Sequence, residues 1–181
     1  ARLGPHSDMC DMTALLCVRT ALSGGESQVA SATSVFNRIR ATHPEHLGPL
    51  LRGFHHDLRG EGPTAKIDEV THHRVPVFSY SEGRLSCGFN PKISESGSIK
   101  RGYAFTATDR AAVDCISALA ADPQWSHAMW LERGDIQLVN NHAVLHSRNE
   151  YVDGDDLSQR RCLYRAWLRP HLLRALPPEF A

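Results

Sequence analysis

Pro5-His6-Ser7-Asp8, close to the first residue of the chain, is the stretch from which the rest is read. In an extended segment side chains two apart share a face, so the His6 imidazole and the Asp8 carboxylate converge. One nitrogen and one oxygen make a donor pair of intermediate softness, suited to a redox-active first-row ion. The pair is two-thirds of a three-ligand site and demands a third donor downstream. The competing reading is a surface His/Asp pair that holds nothing.

At 181 residues the chain is long enough for one domain with a sizeable core. Lys+Arg and Asp+Glu are both 20, a balance that points away from nucleic acid and from anionic membranes. Cys10, Cys17, Cys87, Cys115 and Cys162 are odd in number and widely spaced, with no C-x-x-C pair. That argues against a disulfide framework and a thiolate zinc site, and reduced thiols in a cytoplasm are the expectation. No apolar run reaches the roughly 18 residues of a membrane-crossing helix, and no signal-peptide pattern opens the chain. The missing initial Met predicts a piece of a longer protein.

Met12 to Thr20 is a short apolar run with a β-branched tail, which predicts a buried strand. In Ser23-Gly24-Gly25-Glu26-Ser27 the two glycines permit a positive-φ turn and close backbone approach, with a hydroxyl just beyond. An ordinary inter-strand loop fits those residues as well. A helix is expected from Ser31, with Val35, Phe36 and Ile39 as its stripe. A second is expected behind a Thr42/Glu45 capping box, with Leu47, Leu50, Leu51 and Phe54 inward. The His55/His56 and His72/His73 pairs lie in polar surroundings and are expected in solvent. Gly60 to Gly102 reads as a loop-dominated insertion with β-like pieces at Val75–Tyr80 and Leu85–Phe89. Thr108 to Asp122 is the clearest helix, capped by Thr108. After it come short strands at Met129–Glu132, Ile136–Asn140, Ala143–His146 and Cys162–Leu168.

The third donor is sought in Asn140-Asn141-His142-Ala143-Val144-Leu145-His146-Ser147-Arg148. His142 and His146 are four apart and would share a face of a regular strand, so spacing does not choose between them. Two histidines and one carboxylate on one face of an octahedron, with open positions opposite, is the arrangement of non-haem Fe(II) oxygenases. Further on, Arg161 and Arg165 would share a strand face. An inward Arg is costly unless an anion meets it, and a carboxylate matches guanidinium bidentately. Two arginines on an exposed edge strand are the alternative.

In order and spacing these four motifs resemble the taurine dioxygenase (TauD/TfdA-like) family of Fe(II)- and 2-oxoglutarate-dependent oxygenases, over nearly the whole chain. The resemblance implies a mainly β fold with flanking helices, a distorted double-stranded β-helix or cupin-like jelly roll. Residues 1–181 would then form a single oxygenase domain, the C-terminal two-thirds of the family domain, incomplete at its N-terminus. In the family the distal ligand is the histidine followed by x-Arg, which selects His146. Carried over, His6, Asp8 and His146 are the Fe(II) ligands and catalytic residues. Ser27, where the family usually has Thr, joins Arg161 in holding the distal carboxylate of 2-oxoglutarate. Arg165 faces the cosubstrate or an anionic substrate group. Adjacent strand residues face opposite ways, so the choice of Arg161 over Arg160 rests on register.

The implied reaction is oxidative decarboxylation of 2-oxoglutarate to succinate and CO2 with O2, coupled to hydroxylation or related oxidation of a small organic substrate. Halogenating relatives have a small residue at the carboxylate position, so Asp8 points to oxygenation. The expected partner is a small-molecule substrate, with neither nucleic acid nor membrane, and homo-oligomerisation is left open. Two alternatives are carried: a non-catalytic jelly-roll binding module or inactive truncated relative, and a His/Asp zinc hydrolase.

Overall fold

The apolar residues at both ends of the chain alternate or run in short β-branched bursts, and in the computed structural model these become antiparallel strands. The structure describes residues 1–171 and 175–180. One sheet has four strands in the order β1 (Leu3–His6), β9 (Val144–Arg148), β4 (Ser27–Ser31) and β7 (Ser126–Met129). A second has the order β11 (Cys162–Leu168), β2 (Met12–Arg19) and β8 (Ile136–Asn140). Two two-stranded ribbons accompany these sheets: β5 (Phe78–Ser81) with β6 (Arg84–Cys87), and β3 (Ser23–Gly24) with β10 (Tyr151–Val152). The chain passes repeatedly between the two larger sheets, and two of these crossings carry the polar motifs. Pro5–Asp8 runs from the end of β1 onto the crossing to β2, and Asn141-His142 lies on the crossing from β8 to β9.

Helices α1 (Ala32–Thr42), α2 (Leu47–Arg52), α3 (Pro91–Lys100) and α4 (Ala107–Ala121) pack beside the β structure. Val35 and Ile39 of α1, Leu50 of α2 and Ile116 of α4 are fully buried, together with Phe54, Phe78 and Leu145. Burying a side chain of this size contributes about 1.5–3 kcal/mol. The core thus lies between the helices and the inner face of the four-stranded sheet, and holds β9 rigidly from behind. Among the described residues no helix is long and apolar enough to cross a membrane.

Several sequence expectations are corrected. The Thr42/Glu45 capping box does not form: Thr42 ends α1, its hydroxyl donating to the Arg38 carbonyl at 2.8 Å. A 3-10 turn, Pro44–His46, intervenes before α2. Helix α4 is capped by Thr106, because Asp109 stands at its third position and closes a reciprocal pair of bonds. Helix α3 lies inside the stretch expected to be loop. Its Asn90-Pro91 start is a sound N-cap signal, but the Ser/Gly-rich body has low helical propensity. What holds it is close packing. A Cβ on Gly97 would stand 2.3 Å from the His55 carbonyl oxygen and 2.6 Å from the Asp57 nitrogen. Strand β7 ends at Met129, where the expected strand begins.

Gly97→Ala sets two effects against each other. Removing a helical glycine gains about 0.5–1 kcal/mol, whereas forcing a methyl into backbone atoms that cannot rotate away costs about 1–3 kcal/mol. The collision wins: the variant is expected to be less stable by roughly 1–2 kcal/mol, read as a lower urea midpoint at unchanged slope. An equal or raised midpoint would show that α3 has slack against residues 55–57.

Candidate metal centre

His6 closes β1 and pairs across the sheet with His146 of β9. Directly opposed antiparallel residues present their side chains on one face, and the two imidazole centroids are 4.3 Å apart. After His6 the chain leaves the strand. Buried Ser7 turns the other way and is pinned to Phe89, its N–H donating to the Phe89 carbonyl at 2.6 Å and its Oγ accepting from the Phe89 N–H at 2.9 Å. That double bond fixes the sense of the crossover and leaves Asp8 on the His6 side, with His6 Nε2 3.7 Å from Asp8 Oδ1. One donor atom from each of His6, Asp8 and His146 lies within 4.8 Å of the others.

The bonds around the three side chains leave those donors available. His6 Nδ1 lies 3.0 Å from the Gly4 carbonyl oxygen, so Nδ1 carries the proton and Nε2 keeps its lone pair. Asp8 Oδ2 accepts from the Thr13 hydroxyl at 2.8 Å and the Trp167 indole at 3.2 Å, while Oδ1 faces His6. Trp167 and Thr13 sit in register on β11 and β2, so one strand pairing supplies both donors. His146 Nε2 is buried with no hydrogen-bond partner among the described residues. Burial, then the neighbouring His6, push the His146 pKa down to about 4, which keeps the imidazole neutral at pH 7. An orphaned neutral nitrogen facing a carboxylate and a second imidazole fits a bound divalent ion.

His142 is placed elsewhere. Residues 141–143 form a turn between β8 and β9, so His142 and His146 do not share a strand. His142 Nε2 lies 3.1 Å from Asp11 Oδ1. Its neighbour Asn141, 1 % exposed, holds the crossover together. Its Oδ1 accepts from the Asp8 N–H at 3.1 Å, and its Nδ2 donates to the Cys10 carbonyl at 2.9 Å and the Thr13 hydroxyl at 3.0 Å. The sequence gives no warning of this role, since an Asn beside a turn carries no signal that it will be buried.

A cavity of about 450 Å³ opens beside the cluster, with Asp8, Asp11, His56, Asn90 and Trp167 in its wall. His56, expected in solvent, is buried instead, because Thr71 clamps its backbone on both sides and α3 packs behind it. Its Nε2 has no hydrogen-bond partner among the described residues, and burial pushes its pKa down to about 4. His72 and His73 are exposed.

Arg161 precedes β11 and lines a second cavity of about 300 Å³ with Gly24, Gly25 and Trp130. Both glycines have positive φ, and a Cβ on Gly25 would come within 3.3 Å of Arg161 Nε. The Arg161 and Arg148 guanidiniums lie 5.2 and 4.4 Å from the Tyr151 ring centroid. Burial, then the charge of Arg148, hold Arg161 below its usual pKa. Ser27 is buried on β4, in register with Arg148. Arg165 is half exposed, 3.8 Å from Asp8 Oδ1 and stacked 5.2 Å from the Trp167 ring centroid.

Residues 1–167 match the family described as taurine catabolism dioxygenase TauD, TfdA family. FR-33289 synthase of Streptomyces rubellomurinus is 37 % identical over 179 residues, covering 97 % of this chain and 52 % of the relative. A taurine hydroxylase-like protein of Stachybotrys chartarum is 24 % identical over 178 residues, covering 96 % and 44 %. The chain thus spans about half the length of the curated relatives it matches. Among solved structures, asparagine oxygenase in complex with Fe(II), 2S,3S-3-hydroxyasparagine and succinate superposes with TM-score 0.69 at 15 % identity, over 93 % of this chain and 50 % of that one. Non-haem iron oxygenase OrfP in complex with Fe and alpha-ketoglutaric acid gives 0.57 at 16 %, over 91 % and 48 %. At such identities the likeness speaks for the fold alone, which is mainly β with flanking helices, the cupin-like jelly roll of these oxygenases.

Asn141→Ala strips the partners from the Asp8 N–H and the Cys10 carbonyl inside a buried crossover. Unsatisfied groups of this kind cost about 1–3 kcal/mol each, so the variant is expected to lose roughly 2–6 kcal/mol, measured by urea unfolding. A loss under about 0.5 kcal/mol would mean water or neighbours replace the amide.

Proposed function

Because the chain belongs to the taurine catabolism dioxygenase TauD/TfdA family, we propose that residues 1–181 form one oxygenase domain. It carries the iron and cosubstrate sites of an Fe(II)/2-oxoglutarate-dependent dioxygenase acting on a small organic substrate. The observation that carries this reading is the convergence of His6, Asp8 and His146 beside a cavity, with an orphaned neutral nitrogen on His146. His6, Asp8 and His146 hold the iron. With 2-oxoglutarate and O2 the bound metal supplies oxidative decarboxylation to succinate and CO2 coupled to hydroxylation of a substrate C–H bond.

The side chains around the cluster orient and exclude. The Gly4 carbonyl fixes the His6 tautomer; Thr13 and Trp167 hold one Asp8 oxygen so that the other points at the imidazoles. Arg161, desolvated and crowded by Arg148, gains from pairing with an anion, which supports it as the anchor of the distal carboxylate of 2-oxoglutarate, with Ser27 as hydroxyl donor. Arg165 stands over Asp8 and Trp167, at the place for an anionic group of cosubstrate or substrate. The cavity wall mixes carboxylates, an amide and imidazoles with aromatic surface, which suits a polar molecule of amino-acid size. The 2S,3S-3-hydroxyasparagine in the asparagine oxygenase complex is a molecule of that size.

The test is anaerobic reconstitution with Fe(II), followed by 2-oxoglutarate and then O2. A visible charge-transfer band and slow succinate release are expected, and protein that binds iron but gives neither sinks the proposal. By metal analysis His146→Ala is expected to abolish stoichiometric iron, while His142→Ala, which loses a contact to Asp11, largely keeps it. The opposite ranking would move the third ligand to His142.

A further inference from the structure

A second group of metal-ligating side chains lies away from the triad, at the junction of α1 with the 3-10 turn. One donor atom from each of His43, Glu45 and His46 lies within 4.8 Å of the others. His43 Nδ1 is 3.7 Å from Glu45 Oε1, and the two imidazoles stack with centroids 5.9 Å apart and planes at 27°. The local backbone explains the juxtaposition. The turn that His43 caps closes on an i→i+3 bond, which brings His46 back beside His43. Pro44 fixes φ at the first position of the turn, and His46 N–H donates to the His43 carbonyl at 3.0 Å.

Three further features favour a cation there. His43 is the C-cap of the 11-residue α1, whose last carbonyls put partial negative charge at the junction. Glu45 brings a full negative charge. His46 Nδ1 is buried with no hydrogen-bond partner among the described residues, although His43 and Glu45 beside it are exposed. An ordinary surface ion pair of His43 with Glu45 accounts for one contact and leaves that nitrogen unexplained.

We propose that His43, Glu45 and His46 form a second metal site, selective for zinc-class borderline divalent ions, which ties the end of α1 to the turn leading into α2. Two imidazoles and one carboxylate are an established zinc donor set, with a fourth position for water. Tetrahedral zinc at ~2.0–2.1 Å from each donor needs donors about 3.4 Å apart, so the His43–Glu45 pair at 3.7 Å closes with a small side-chain rotation.

The experiment is Zn²⁺ titration, by competition with a chromophoric chelator, of the chain carrying His6→Ala and His146→Ala, so that the triad does not compete. One saturating equivalent is expected, with a rise in Tm on zinc addition. Adding His43→Ala and His46→Ala is expected to weaken binding by about a hundredfold or more and to abolish the Tm rise, with unchanged circular dichroism. No saturating equivalent in the triad-less chain, or an equivalent that survives the two added substitutions, overturns the proposal. Should the triad-less chain not fold, the unsubstituted chain decides the same question: two equivalents falling to one on His43→Ala/His46→Ala supports the site, and one equivalent in both overturns it.

Discussion

The pairing of β1 with β9 is the constraint on which the rest depends. It sets His6 opposite His146, and the next pairing, of β9 with β4, sets Val29 beside His146 and Ser27 beside Arg148. A one-residue slip in an antiparallel pair moves every side chain to the other face. Register is protected here by burial: Leu145 packs in the core and Ser147 is buried on the same side of β9, its hydroxyl donating to Gln28 Oε1 at 3.2 Å, which puts His146 and Arg148 on the other. Burial on one face of a five-residue strand thus decides where the polar side chains on its other face stand.

Asp8 answers to a different kind of constraint, because no strand holds it. Its position comes from polar bonds that cross the sequence: Ser7 to Phe89, Asn141 to the Asp8 N–H, Thr13 and Trp167 to Oδ2. A buried network of this kind is favourable when every member is satisfied and costly when one is removed. The network also couples the two sheets, since β2 and β11 supply Thr13 and Trp167 while β1 and β9 supply the imidazoles. The sheet β11-β2-β8 has two faces of contrasting character. Thr13, Cys17 and Val139 are buried on the side of Asp8, whereas Tyr164, Ile136 and Leu138 are exposed on the other.

The helices act on the site at one remove. Helix α4, with its reciprocal Thr106/Asp109 cap, and α1 fill the core behind β9. Helix α3 approaches residues 55–57 so closely that only glycine fits at position 97, and in doing so buries His56 in the cavity wall. The Lys100 ammonium and Ser96 hydroxyl of the same helix bond the Asp57 carboxylate at 2.7 and 2.6 Å, locking the segment in place. A stretch of sequence that reads as loop thereby becomes a fixed wall.

By itself the sequence determined the elements whose signal is local. The strands Met12–Arg19, Ile136–Asn140 and Cys162–Leu168 and the body of α4 follow from apolar spacing and turn residues within a few positions of each other. The motif Pro5–Asp8 and the histidine followed by x-Arg pointed to the family, and named as candidate ligands the three side chains that the fold brings together. Tertiary structure decided what spacing left open. It put His142 on a turn against Asp11, and it buried Asn141 and His56, which composition assigns to the surface. Helix α3 needed a partner surface to offset its low propensity. The physical reason is the same in each case: a polar side chain's burial and a short helix's survival depend on groups distant in the chain, and a local pattern does not record them.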